Sequence, residues 1–429
     1  MEVVNFLVDQ VFVEAPIFLG LVALIGLLLQ RKSVVAVIEG TAKTIVGILI
    51  LFAGIDLFLG SLIPLTEVLA DQFDAPGVLP DCFGPFGVTM QDWAREVGLT
   101  FVLAFLLHLA IVRVVPWQTA KNLFLTGHIM LFYSALFVLG MNWALEITGW
   151  ALIVSAGVLV AIMWTIFPAI TRPFTRDMTA DAYTLGHLNH LAAIFGTWIG
   201  MLFKGTRKSD EIELPGFLRV FNDYTVLLAF VMPALYIIIG LVAGATAVEP
   251  LAGEQNWILW LLLQGLGFAA GVAIVLFGVR MFLAAIIPAF QGISQKLLPG
   301  AKPGLDCPVF YPFAPVAMTL GFLADFGGAL LSTGILIAVS APVIIIPGPI
   351  FFFFDGALAG VFGDRFGGWK GAIAAGAFMG LWVHLLSVFL YYVQPQIRDA
   401  GVIFSGPDWV LFAPLFWLFN IIGSVIGIV

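Results

Sequence analysis

The chain has 429 residues, 61% of them hydrophobic and only 10% charged, with a formal net charge of −8 and a mean hydropathy of +1.09. Ordinary soluble domains carry about 25% charged residues. This composition therefore excludes a soluble globule, a disordered chain and a coiled coil, and the acidic balance excludes nucleic-acid binding. Two cysteines are too few for a disulfide framework or a four-thiolate metal site.

What remains is an all-α polytopic membrane protein, in which about 20 apolar residues make one helix across a bilayer core of ~30 Å. In chain order, hydropathy predicts eleven spans. They lie near 12–30, 34–62, 97–116, 123–142, 149–171, 225–248, 257–280, 315–340, 342–362, 371–393 and 409–429. The N-terminal stretch MEVVNFLVDQ is acidic and runs straight into the first span, so no cleavable signal peptide is expected.

Basic residues mark alternate connections, which sets the expected orientation. Arg31 and Lys32 follow the first span, Arg113 and Lys121 the third, and Arg172 and Arg176 the fifth. Lys204, Arg207 and Lys208 precede the sixth, and Arg280, Lys296 and Lys302 follow the seventh. The intervening connections are acidic, at Glu67 to Glu96, at Glu146, and at Glu249 and Glu254. The N-terminus is expected outside and, with eleven spans, the C-terminus in the cytoplasm.

Two apolar stretches break the pattern, because each starts and ends on the same side. They are 181–203 and 281–314, the latter with its focus near 300–314. Both read as in-plane or re-entrant segments, which occur where protein or a wet cavity surrounds irregular backbone. A repeat of about 220 residues runs through the chain. Asp81-Cys82 matches Asp306-Cys307, Thr126-Gly127-His128-Ile129 matches Pro347-Gly348-Pro349-Ile350, Gly149-Trp150 matches Gly368-Trp369, and Gly186-His187 matches Gly406-Pro407. The expected organisation is two inverted repeats, 1–224 with a re-entrant segment near 181–203, and 225–429 with a re-entrant segment near 300–314 and a final span.

An ionisable group at the centre of a membrane helix costs roughly 2.5–3.5 kcal/mol on insertion scales, so each needs a reason. Glu39 and Lys43 have the i,i+4 spacing of a neutralising pair. His108 and His384 read as packed, hydrogen-bonded core histidines, and Asp325 and Asp355 as helix-cap or loop positions. His128, after Thr126-Gly127, and His187, Asn189 and His190, in the first re-entrant candidate, are stronger site candidates, as is Asp306 in the second. Imidazoles and a carboxylate reaching one cavity can bind a polyhydroxy or acidic molecule and handle a proton. The i,i+3 spacing of His187 and His190 permits zinc, but no paired carboxylate motif lies nearby, and no metal or other cofactor is expected. There is no phosphate-binding P-loop and no GxSxG, so no catalytic residue is assigned.

The stretches RKSVVAVIEGTAKTIVG (31–47), LTGHIM (125–130), LGH (185–187), LPGFLRVF (214–221), FQGISQKLLPGA (290–301), LDCPVFYPFAP (305–315), GVFGDRFGGWKGA (360–372) and DWVLFAP (408–414) span the chain. Together they resemble the ascorbate-type EIIC membrane component of the bacterial sugar phosphotransferase system. The resemblance implies an eleven-span homodimer in the bacterial inner membrane. It implies a scaffold part and a moving core, and uptake coupled to phosphorylation by a separate EIIB phosphocysteine protein that is itself served by EIIA. Neither Cys82 nor Cys307 is expected to be that phosphocysteine, since no soluble EIIA or EIIB domain is recognisable. Residue by residue, the implied substrate site falls on His128, His187 and Asp306.

At the implied site this chain departs from the family pattern. Asp81-Cys82-Phe83 stands where the family reads Asp-Thr-Tyr, Phe132 where it has glutamine, and Leu188, Asn189 and His190 where it has a run of glutamines. The expected substrate-binding set is therefore His128, His187, Asn189, Asp306, Cys307, Asp81, Cys82, Phe83 and Phe132. The expected substrate is a small sugar-acid or polyol-like molecule. The alternative is transport of the same kind without phosphorylation, proton-coupled or facilitative, with His190 as the additional proton carrier.

Overall fold

A computed structural model of the chain describes residues 11, 14–70, 78–80, 84–212, 223–393 and 403–426. Helix dominates, because an apolar run surrounded by lipid must satisfy its own peptide groups. The helices are α1 (Ala15–Leu29), α2 (Val34–Ala70), α3 (Gly84–Val114), α4 (Gly127–Leu145), α5 (Gly149–Thr179) and α6 (His190–Leu202). They continue with α7 (Tyr224–Ala243), α8 (Ala245–Ala252), α9 (Trp257–Lys296), α10 (Pro315–Ala338), α11 (Pro349–Val393) and α12 (Pro407–Ile426). Among the described residues, nine helices are long and apolar enough to cross a membrane. Leu106, Leu202, Val242 and Phe277 turn more than half of their surface outward, as side chains facing lipid do. The protein is an all-α multi-pass membrane protein.

The observed elements differ from the eleven expected spans at identifiable places. Helix α1 has 15 residues, short of a full crossing at 1.5 Å per residue. The spans expected at 342–362 and 371–393 lie in one element, α11, which reverses at Gly368 with φ 62° and ψ −165°. Essentially only glycine adopts that conformation. Gly356 and Gly380, equidistant from the reversal, both press on Asp325, and Gly360 and Gly376 both press on Gly321. The two arms of α11 therefore run back along α10 as a hairpin. Asp325 and Asp355 both lie inside helices, neither capping one nor sitting in a loop. Helix α3 begins well before its apolar run and bends at Trp93.

Local chemistry sets several helix starts. The Asp223 carboxylate accepts from the amides of Thr225 and Val226 at α7, and the Asn256 side chain accepts from Ile258 and Leu259 at α9. Glu39 and Lys43 form the expected i,i+4 pair at 2.5 Å on the exposed face of α2. The helices pack in three groups. The first is α1, α2, α7 and α9, the second α6, α10 and α11, and the third α3, α4, α5 and α12.

Five short strands interrupt the helices: β1 (Val78–Pro80), β2 (Asn122–Phe124), β3 (Thr184–Leu185), β4 (Lys302–Leu305) and β5 (Ile344–Ile346). β4 lies between β2 and β3 in an all-parallel sheet, with Leu123 opposite Pro303 and Leu185 opposite Leu305. β1 and β5 form a second parallel pair, with Leu79 opposite Ile345. Within the segments expected to be in-plane or re-entrant, β3 leads into the 13-residue α6, and β4, beyond the end of α9, leads into a short 3-10 turn at Cys307–Phe313. Extended backbone is tolerated here because the three-stranded sheet is enclosed by helices and its peptide groups are paired.

Candidate functional site

The three-stranded sheet explains how residues far apart in sequence meet. All three strands run in the same direction, so the segments leaving their C-terminal ends emerge at the same edge. β2 leads to His128, β3 to His187 and β4 to Asp306. The strands can approach closely because Gly186 faces Gly304. A Cβ built on Gly186 would lie 2.8 Å from the Gly304 carbonyl, a distance that forces the strands apart. Inter-strand bonds run from the Leu125 amide to the Gly304 carbonyl at 3.0 Å and from the Gly186 amide to the Leu305 carbonyl at 2.8 Å. The Thr126 hydroxyl donates to the Gly186 carbonyl at 2.6 Å.

At that edge, Nε2 of His128 is 3.5 Å from Oδ2 of Asp306, and Nε2 of His187 is 3.4 Å from Oδ1. Oδ1 also accepts from the Cys307 amide at 2.7 Å, which fixes the carboxylate at the start of a short 3-10 turn, Cys307–Phe313. The three side chains form one corner of a cavity of about 350 Å³, within the usual range for small-molecule sites. The other walls come from each packing group: Phe52 and Asp56 of α2, Phe132 of α4, and Phe354 and Asp355 of α11. Phe354 stacks on the His187 ring at 6.0 Å, and Phe52 meets His128 edge-on at 5.9 Å. Asn189 lines the cavity, and its side-chain amide nitrogen is buried without a hydrogen-bond partner among the described residues.

Of the expected site residues, the fold brings together His128, His187, Asn189, Asp306 and Phe132. Cys307 does not face the cavity. It is fully buried behind Asp306, where its Sγ accepts from the Tyr311 hydroxyl at 3.7 Å. Asp81, Cys82 and Phe83 lie outside the described residues. His190 turns away from His187, so the zinc pair suggested by their spacing is not formed. Its Nδ1 bonds Asp408 at 2.8 Å, and the same carboxylate accepts from the amides of His190 and Leu191 at 3.1 and 2.8 Å. Asp408 therefore caps α6, a role that sequence reasoning missed.

His108 is the satisfied core histidine expected. Its Nε2 accepts from the Phe124 amide at 3.1 Å and its Nδ1 is 2.9 Å from the Thr165 hydroxyl, which closes the outer edge of β2. His384 bonds the Gly380 carbonyl at 3.0 Å. Arg172, read in sequence only as an orientation charge, anchors the opposite ends of the strands. It is buried, pairs with both oxygens of Asp181 at 2.9 and 3.0 Å, and donates to the Gln118 carbonyl and to Asn122 Oδ1. Asp181 also lies 3.7 Å from Lys302 at the start of β4.

Chemically, the corner offers a fixed carboxylate acceptor, two imidazoles and an amide donor opposite aromatic faces. The first turns of α4 and α11 line the same cavity, so the partial positive charge of two helix N-termini is directed toward it. This arrangement suits a small ring-shaped molecule with hydroxyl and acidic oxygens.

Over 425 aligned residues the chain is 25% identical to the "Ascorbate-specific PTS system EIIC component" of Mycoplasma pneumoniae (strain ATCC 29342 / M129 / Subtype 1). The match covers 86% of this chain, which spans 64% of that relative's length. Residues 10–408 match the family EIIC-GAT, described as the PTS system sugar-specific permease component. With nearly its whole length inside that match, the chain belongs to the EIIC-GAT family of sugar-specific permease components of the phosphotransferase system.

Proposed function

We propose that this protein is the translocating component of a phosphotransferase uptake system for a small sugar-acid or polyol-like substrate. The substrate binds at His128, His187, Asn189 and Asp306 and is phosphorylated by a separate EIIB phosphocysteine protein supplied by EIIA. The observation that carries this reading is the convergence of three parallel strand ends on one corner of a cavity lined by all three helix groups. A site at the junction of packing groups is where relative motion of those groups opens one side and closes the other. Family membership and the name of the Mycoplasma relative support the phosphotransferase setting and an ascorbate-like acid.

Phe132 and Leu188 on the cavity wall favour a ligand with few hydroxyls, because a hydroxyl facing them is desolvated without a partner. The two sheets support inverted repeats over 1–224 and 225–429. Each pairs the strand before an Asp-Cys phrase of one half with the strand before a glycine phrase of the other. The basic connections support an inner-membrane orientation with the N-terminus outside and the C-terminus cytoplasmic, and the working unit is a homodimer. His190, the suggested proton carrier of transport without phosphorylation, bonds Asp408 and is not among the residues that line the cavity.

The test is uptake into vesicles containing the purified protein. With EIIB and a phosphoryl donor inside, substrate accumulates as its phosphate ester. Accumulation at an equal rate with neither present contradicts the proposal and supports the phosphorylation-independent alternative.

A further inference from the structure

We propose that His128, His187 and Asp306 form a binding site for a divalent transition-metal ion of the zinc class, with an open coordination position facing the cavity. The site shares these side chains with the substrate site proposed above, and ion binding is measured apart from uptake. At 3.4 and 3.5 Å, the two imidazole–carboxylate separations exceed those of ordinary hydrogen bonds. Each imidazole faces its own carboxylate oxygen, Oδ2 for His128 and Oδ1 for His187, and two ligands at 2.0–2.1 Å from a tetrahedral ion are about 3.3–3.4 Å apart, so either oxygen can share an ion with its imidazole. The three donor atoms all lie within 4.8 Å of one another.

The donor set decides the class of ion. Two imidazole nitrogens and one carboxylate select zinc, cobalt or iron, whereas magnesium and calcium require a cage of oxygens. Three protein ligands leave a position open, as in catalytic rather than structural zinc sites.

The rings of the histidines are held differently. The chain has five histidines. His108, His190 and His384 each have a ring nitrogen bonded to a protein partner. The Nδ1 atoms of His128 and His187 are buried and have none among the described residues. Neither ring is thereby committed to a tautomer, and both can turn an Nε2 lone pair to a cation. A bound dication changes the formal charge of the corner from −1 to +1 and adds a Lewis-acidic position beside Asn189, suited to an anionic oxygen. Because neither Nδ1 has an outer partner to orient it, affinity is expected to fall tenfold to a hundredfold below that of a fully supported site.

The experiment uses the full chain, purified in detergent and stripped of metal with a chelator, and titrated with Zn2+ or Co2+ alone. One ion per chain is expected. Bound Co2+ should show the intense visible bands of a four- or five-coordinate nitrogen–oxygen site, and Zn2+ should displace it. His187→Gln and Asp306→Asn should each weaken Zn2+ binding at least a hundredfold and abolish those bands, while His384→Gln retains both. No saturable binding by the unaltered protein, or a cobalt spectrum of six oxygens, overturns the proposal without reference to any variant. Zn2+ binding unchanged in variants that melt like the parent overturns it as well.

Discussion

At the residue scale, the five histidines divide by partner. His190 and Asp408 are both fully buried and bonded to each other, with Asp408 also receiving two α6 amides. His190→Ala takes the imidazole from that carboxylate, which keeps two amides and the Tyr133 hydroxyl, and loss of a hydrogen bond to a charged group costs about 1.5–3 kcal/mol. The expected result is a large fall in melting temperature with ligand affinity unchanged in the protein that remains folded. His128→Ala should behave in the opposite way. Its ring lines the cavity, and loss of hydrogen bonds to a charged or polar ligand costs about 1.5–3 kcal/mol, so affinity falls roughly tenfold to a hundredfold while melting changes little. Thermal shift with and without ligand separates the two.

This division was only partly legible in the sequence. His187 and His190 are three residues apart, which on one helix would place them on one face. Here a strand-to-helix junction separates them, and the partner of His190 lies 218 residues away. No local pattern announces such a pair. His108 and His384 were legible, because an isolated imidazole in an apolar run needs a nearby acceptor or donor.

At the element scale, the parallel sheet is the positioning device, and its two ends make separate predictions. Gly186→Ala places a methyl 2.8 Å from the Gly304 carbonyl. Overpacking of this kind costs about 1–3 kcal/mol, and because β3 and β4 must separate, ligand affinity should fall together with stability. Calorimetry of folding and binding on one sample checks both.

At the other end, the Arg172 guanidinium holds the Asp181 carboxyl below its ordinary value. A lowered folded value means that the pair stabilises the fold above the unfolded carboxylate range, near pH 4, and that the contribution is lost as pH falls through the lowered value. Arg172→Gln should therefore destabilise at pH 7, and the gap from the parent should narrow on acidification to pH 3. A constant gap contradicts this reading. The strands escaped the sequence reading because runs of two to four residues carry no periodicity. The long helices did not, since each is an apolar run of bilayer length. Gly368 shows the boundary between the two cases. Its match to Gly149 in the repeat marked a junction, while the left-handed backbone that reverses α11 is set by packing against α10.

At the scale of the whole molecule, the proposed orientation places the Glu146 turn outside and the Lys208 segment inside. In a variant with Cys82 and Cys307 replaced, Glu146→Cys should react with a membrane-impermeant maleimide on intact cells, and Lys208→Cys only after lysis. The reverse pattern inverts the topology. The helices that line the cavity come from three packing groups, and this assembly is what hydropathy could not show. Asp56 and Asp355 join the wall through long-range packing, with no motif around either.

The proposal that the edge shared by β2, β3 and β4 is the substrate site is tested most directly by calorimetric titration. Ascorbate, related sugar acids and polyols are titrated into the purified protein and into Asp306→Asn, with heat of binding as the readout. The expected result is saturable binding of at least one sugar acid by the parent and at least a tenfold loss in the variant at unchanged melting temperature. Equal affinity in parent and variant would contradict it.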